Sequence, residues 1–97
     1  MAVRYSIEDQ VCRITLDNPP VNVIGQALRA GLVAALDAAE AAGVQRIILT
    51  GAGAAFAAGA DAREFDAPPA PPHLPDVLAR LERLPAVAAI NGTALGG

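Results

Sequence analysis

From Val3 to Ile7, and again from Val11 to Leu16, apolar and polar side chains alternate with the period of two that marks a half-buried strand. The short polar "EDQ" between the two runs predicts a β-hairpin. In the second run Cys12, Ile14 and Leu16 share one face, and Arg13 and Thr15 share the other. "DNPP" (Asp17–Pro20) ends that strand, because two prolines withdraw two ladder donors. The period then lengthens. Between Gln26 and Ala42 a helix is predicted, with Leu28, Leu32, Ala35, Leu36 and Ala39 along one side and Arg29, Asp37 and Glu40 elsewhere. Gly43 is placed to stop it.

"VQRIILT" (Val44–Thr50) reads as a strand whose Ile47-Ile48-Leu49 centre is buried on both faces, as in a parallel strand of a layered α/β domain. "APPAPPHLP" (Ala67–Pro75) is too rich in proline for a helix or a central strand and reads as a loop. A second helix is expected from Pro75 to Leu84, with proline and Asp76 in its first turn. Leu74, Val77, Leu78, Leu81 and Leu84 form its core stripe. "AVAAI" (Ala86–Ile90) follows as a short buried strand, and then "NGTALGG". The order is ββα, β, a glycine-rich turn, α and β, which is the α/β class. A buried strand leading into Asn-Gly and Gly-Gly is expected to continue into another element, so the 97 residues read as part of a larger domain.

Composition removes several alternatives. The chain is 54% apolar but only 3% aromatic, so its bulk is aliphatic. A domain of this size buries only about 60–65% of its unfolded surface, so its stability alone should be modest. A net charge of −3 with scattered acids offers no basic stripe to nucleic acid. No apolar run reaches the roughly 18 residues of a membrane span. With one cysteine, no internal disulfide forms, and a cytoplasmic or organelle-matrix location is the expectation. The chain has no lysine, so no Schiff base forms here, and its only serine (Ser6) and only histidine (His73) argue against a Ser/His/Asp triad. One Cys and one His make no ordinary zinc site.

Two segments carry candidate chemistry. "TGAGAAF" places Gly51 and Gly53 after a strand, but Phe56 stands where a dinucleotide fingerprint needs its third glycine. A simple turn is the better reading. "FAAGADAREF" (Phe56–Phe65) is different: small residues followed at once by Asp61, Arg63 and Glu64. Bare backbone at Ala58, Gly59 and Ala60 would let a ligand approach peptide N–H groups, with Arg63 able to pair with a phosphate. The plainer alternative has Asp61 capping a short helix while Arg63 and Glu64 face water. "VAAINGTALGG" is a second small-residue turn at an equivalent point in the alternation. Two such turns at neighbouring strand ends would present two converging peptide donors, the geometry of an oxyanion hole.

Together, "NPPVNVIGQALRAGLVAAL", "RIILTGAGAAFAAGADAREF" and "VAAINGTALGG" resemble the crotonase family of enoyl-CoA hydratases and isomerases along nearly the whole chain. The resemblance implies a ββα spiral, here its N-terminal repeats, that binds acyl-CoA and stabilises a thioester enolate. By position in the motifs, the Ala60 N–H resembles one oxyanion donor and the Gly97 N–H the other. The Ala58 carbonyl would meet the CoA adenine, Arg63 stands where a basic residue usually meets CoA phosphate, and Val21 of the "PPVN" turn looks like part of the same wall. Gly59 and Asp61 complete the expected CoA-binding set. The substrate implied is a coenzyme A thioester, with no cofactor in this segment.

"NPPVNVIGQALRAGL" and "EFDAPPAPPHLPDV" are similar to the hydratase end of multifunctional β-oxidation enzymes, in which an NAD-using hydroxyacyl-CoA dehydrogenase domain follows. A fused dehydrogenase or a homo-oligomer is therefore a possible partner. The two glutamates that handle water and the α-proton in hydratases would lie beyond Gly97, so this segment alone is expected to catalyse nothing. The family's "KPVVAAI" is shortened here to "PAVAAI", with loss of a basic residue. An isomerase or hydrolase of the same family, or a non-catalytic acyl-CoA-binding module, are the alternatives. His73 reads as a loop residue, Cys12 as core packing, and Glu64 as a solvated or ion-paired side chain.

Overall fold

The computed structural model describes residues 3–19, 22–53, 55–57, 59, 64, 68, 70–90 and 93–94. The elements are β1 (Val3–Glu8), β2 (Val11–Leu16), α1 (Gln26–Ala42), β3 (Arg46–Gly51), β4 (Ala55–Ala57), α2 (Leu74–Arg83), β5 (Ala86–Ala88) and β6 (Thr93–Ala94). Strands β1, β2, β3 and β5 form one sheet in that order, and β4 and β6 form a separate pair. The hairpin pairs antiparallel, with Glu8 opposite Val11. Its two-residue loop, Asp9 and Gln10, has positive φ at both positions, the combination that matches the twist of the flanking strands. Strands β2 and β3, and then β3 and β5, run parallel, joined by helical crossovers as parallel strands require.

The core lies between α1 and one face of the sheet. Cys12, Ile14 and Leu16 meet Leu28, Leu32, Ala35, Leu36 and Ala39, with Val3, Ile47, Leu49 and Val77 closing the cluster. Each fully buried branched side chain contributes roughly 1.5–3 kcal/mol. Helix α1 approaches β1 closely at Gly31, where a Cβ would sit 3.0 Å from the Cβ of Val3. Gly43 ends α1 in the left-handed conformation (φ 63°), its N–H donating to the carbonyls of Ala39 and Glu40. Across the helix pair, Arg80 of α2 donates to Asp37 Oδ1 at 2.7 Å and Glu40 Oε1 at 3.0 Å. Hydrogen bonding to Asp37 and then to Glu40 raises its already high pKa further.

Four details differ from the expectations. Ile48 is half-buried rather than buried, because pleating turns it away from the face on which Ile47 and Leu49 meet α1. Helix α2 begins at Leu74 with Pro75 in its first turn, so the proline-rich loop is two residues shorter. Leu78 of the expected stripe is exposed, as are Val87 and Ile90. Strand β5 is the edge of its sheet, so among the described residues nothing covers its outer side.

Arg29 is the fourth. Expected off the core stripe, it is among the buried residues of α1. Its guanidinium spends its donors on Pro72 O (2.7 Å), Ile24 O (3.3 Å), Ala70 O (3.3 Å) and Glu64 Oε1 (3.0 Å). Gln26 adds a side-chain bond to Pro71 O at 3.1 Å. The proline-rich loop is thus held to the start of α1 by charge-assisted bonds to its own carbonyls.

Replacing Arg29 by Met should lower stability by roughly 2–3 kcal/mol, since it strips donors from a part-buried carboxylate and several carbonyls. Arg29→Lys should recover only part of this, because an ammonium cannot span that set of acceptors in one plane. Urea denaturation reads both, and a Met variant as stable as the parent would show that the loop is held by other contacts. Burial pushes the Cys12 thiol above its ordinary pKa. At pH 8 a thiol reagent should therefore label Cys12 rapidly only after unfolding; rapid labelling of the native chain would contradict the core assignment.

Candidate functional site

Strand β3 ends at Gly51, and the chain turns there: the N–H of Ala52 donates to Leu16 O at 2.8 Å, and Gly53 takes φ +79°. Phe56, which occupies the place of a third fingerprint glycine, lies in β4, a strand and not the start of a helix. Gly51 and Gly53 therefore serve a turn, as the plainer reading held. After β4 the backbone reaches Gly59, buried and at φ +88°. That conformation strains any L side chain, so glycine is required here by the backbone.

Beside this segment lies the turn that follows β2. Asn18 and Asn22 close it reciprocally: Asn22 N–H donates to Asn18 O at 2.8 Å, and Asn18 N–H donates to Asn22 Oδ1 at 2.7 Å. Asn18 Nδ2 also donates to Val23 O at 2.9 Å. Asn22 itself is 2% exposed and sits at φ +58°, a region asparagine tolerates better than most residues. Its Nδ2 group donates to Phe56 O at 3.1 Å and more weakly to Ala52 O at 3.4 Å. Two residues on, Ile24 N–H donates to Gly59 O at 2.7 Å. The turn thus grips both Phe56 and Gly59 by their carbonyls.

The second small-residue segment comes alongside through pairing. Strand β6 runs parallel to β4, with Thr93 opposite Ala55 and Ala94 opposite Ala57. Both strands therefore point the same way, with Ala57 and Ala94 side by side at their ends and the register shifting between Ala55 and Ala57. Ala60 is the third residue after Ala57, and Gly97 is the third after Ala94. Of the residues expected at the site, Gly59 is described and lies at this end. Ala58, Ala60, Asp61, Arg63, Gly97 and Val21 lie outside the described residues. Asn22, adjacent to Val21 in sequence, carries no signal of its role there; a buried asparagine shows its partners only in three dimensions.

Glu64 accounts for itself differently. One oxygen accepts from the Gln26 N–H at 2.7 Å, at the positive end of α1, and the other from Arg29. It is ion-paired, as one of the two expectations had it. His73 precedes the first residue of α2 and is exposed, in keeping with a loop role. A hollow of about 620 Å³ lies between the ends of α1 and α2, lined among others by Glu40, Arg80, Arg83 and Pro85. It shares no residue with β4 or β6.

Known proteins give the arrangement a context. The Enoyl-CoA hydratase/isomerase family profile matches residues 6–97. The chain is 39% identical over 98 residues to the peroxisomal bifunctional enzyme of Danio rerio, covering 97% of this chain and 14% of that protein. It is 35% identical over 106 residues to a probable enoyl-CoA hydratase of Bacillus subtilis, covering 99% of this chain and 41% of that one. Among solved structures, an enoyl-CoA hydratase/isomerase from Pseudoalteromonas atlantica superposes with a TM-score of 0.80 at 25% identity, over 95% of this chain and 39% of that chain. An enoyl-CoA hydratase subunit from Geobacillus kaustophilus gives 0.73 at 35% identity, over 95% and 39%. The chain spans about two-fifths of the hydratases it matches and a smaller part of the bifunctional enzymes. With the family profile matched from Ser6 to the last residue and the fold shared with these structures, the chain belongs to the enoyl-CoA hydratase/isomerase family, with the crotonase fold.

Proposed function

We propose that this chain is the acyl-CoA-binding, oxyanion-forming part of an enoyl-CoA hydratase that adds water across a trans-2-enoyl thioester in fatty-acid β-oxidation. The observation that carries the reading is the parallel pairing of β4 with β6. Parallel strands lie about 4.8 Å apart, so with Ala57 opposite Ala94 the Ala60 and Gly97 amides, each three residues further along the chain, would leave by the same end of the pair. Two N–H donors that close can share one thioester oxygen and hold the negative charge it gains as water adds at the β-carbon. The donors cost no reorganisation, because the Asn22 turn already grips the segment before Ala60.

The remaining roles follow the motifs. Ala58 and Val21 would line the adenine end of the coenzyme, Gly59 and Asp61 would shape the approach, and Arg63 would meet a CoA phosphate. The glutamates for water activation and α-proton transfer are assigned to sequence after Gly97, so this segment alone should bind weakly and turn over nothing. Similarity to bifunctional enzymes supports a parent that also carries an NAD-dependent hydroxyacyl-CoA dehydrogenase. Their names place several relatives in the peroxisome, which supports a cytoplasmic or organelle-matrix setting. Among the described residues no helix is long and apolar enough to cross a membrane.

Ala60→Pro in the full-length protein should reduce turnover by roughly 10²–10³ with folding retained, because it deletes one donor outright. Unchanged turnover in a folded variant would remove Ala60 from the mechanism. Arg63→Ala should raise KM for CoA thioesters more than it lowers kcat. An unchanged KM would return Arg63 to a solvated surface. Assays with trans-2- and cis-3-enoyl-CoA separate hydratase from isomerase: hydration of the first supports the reading, and double-bond migration alone overturns it.

A further inference from the structure

We propose that Asn22 is a positioning residue for the first oxyanion donor, an inference that rests on the role given to Ala60 above. Three observations converge on it. The side chain is buried and bonds the main chain of three segments: Oδ1 takes the Asn18 N–H, and Nδ2 gives to Phe56 O and Ala52 O. Its backbone is in the left-handed region, at φ +58°, which turns the chain so that Ile24 N–H reaches Gly59 O two residues later. Those two grips fall at Phe56 and Gly59, on either side of Ala58, and the second is on the carbonyl of the very peptide unit whose N–H belongs to Ala60.

A hydrogen-bond donor for an oxyanion works only if its direction is set before charge develops. Small residues offer little side-chain surface to set that direction, so bonds to the segment's main-chain carbonyls must do it. Asn22 supplies one grip directly and the turn geometry for the other. Its amide also cannot be replaced by the isosteric carboxylate: Asn22→Asp keeps the shape and the acceptor for Asn18 but sets an ionised oxygen against the Phe56 and Ala52 carbonyls. Asn22→Gly keeps the positive φ and removes both side-chain donations.

The test uses the full-length protein with a trans-2-enoyl-CoA substrate. Folding of Asn22→Asp and Asn22→Gly is checked by circular dichroism and urea midpoint, and kcat and KM are measured separately. Misaligning a donor by about 1 Å costs on the order of 10²-fold in turnover, so kcat should fall to about that extent in both variants while KM stays close to the parent's. A merely structural asparagine would lower the urea midpoint and leave kcat of the folded fraction intact. Should Asn22→Asp fail to fold, Asn22→Gly decides alone, since glycine adopts this φ without strain. Ala60→Pro is the control. If it retains turnover, the oxyanion reading falls and this inference with it. If it loses turnover while a folded Asn22 variant keeps the parent kcat, only the positioning role is overturned.

Discussion

The pairing of β4 with β6 is the constraint on which the site depends. Each strand is very short, and neither belongs to the main sheet. Two short strands remote in sequence do not find one another through their own pairing energy, because an isolated two-stranded ladder is marginal in water. They meet because each leaves a strand of the main sheet, β4 after β3 and β6 after β5, and β3 and β5 are themselves parallel neighbours. Ala89 N–H still donates to Leu49 O at 2.7 Å, and Thr50 Oγ1 donates to Ala89 O at 2.9 Å, so the two exits are kept together past the end of β5. The core beneath α1 therefore acts on the site through the direction in which its strands leave it.

Buried polar groups do the finer placing. Asn22 and Arg29 are the two buried polar or charged residues among those described, and both spend their donors on backbone carbonyls of distant segments. A buried polar network of this kind holds a segment in one arrangement when all its members are satisfied and is costly when one is missing. Among the described residues every buried side-chain nitrogen and oxygen has a partner. Asn22 grips the chain at Phe56, and Arg29 grips Glu64 and the proline-rich loop further on. The segment proposed to meet coenzyme A is thus bracketed by two buried anchors, both rooted in or next to the start of α1.

Local pattern was enough for the hairpin, for the limits of α1 and for its glycine stop, because each depends on neighbours in sequence: alternation at Cys12, Ile14 and Leu16, helical spacing from Leu28 to Ala39, and a left-handed Gly43. It was not enough where burial depends on what lies opposite. Arg29 stands three residues before Leu32 and seven before Leu36, on the flank of the apolar stripe, and its charge alone pointed to solvent. Three of its four acceptors, Glu64, Ala70 and Pro72, lie 35 to 43 residues away, beyond the reach of any periodicity. Ile48, Leu78 and Val87 err in the opposite direction, since an apolar side chain is buried only if another layer lies over it. The proposed backbone donors rest on small-residue composition and family motifs, whereas Asn22, bonded to Phe56 O, gives no compositional sign of its contacts.

The central claim is that two main-chain amides, one after each short strand, converge on a single acceptor. A crystal structure of the full-length protein with a bound acyl-CoA thioester tests it most directly. The account predicts the nitrogens of Ala60 and Gly97 each about 3 Å from the thioester carbonyl oxygen. Amides directed away from one another, or a thioester oxygen bound by other groups, would contradict it.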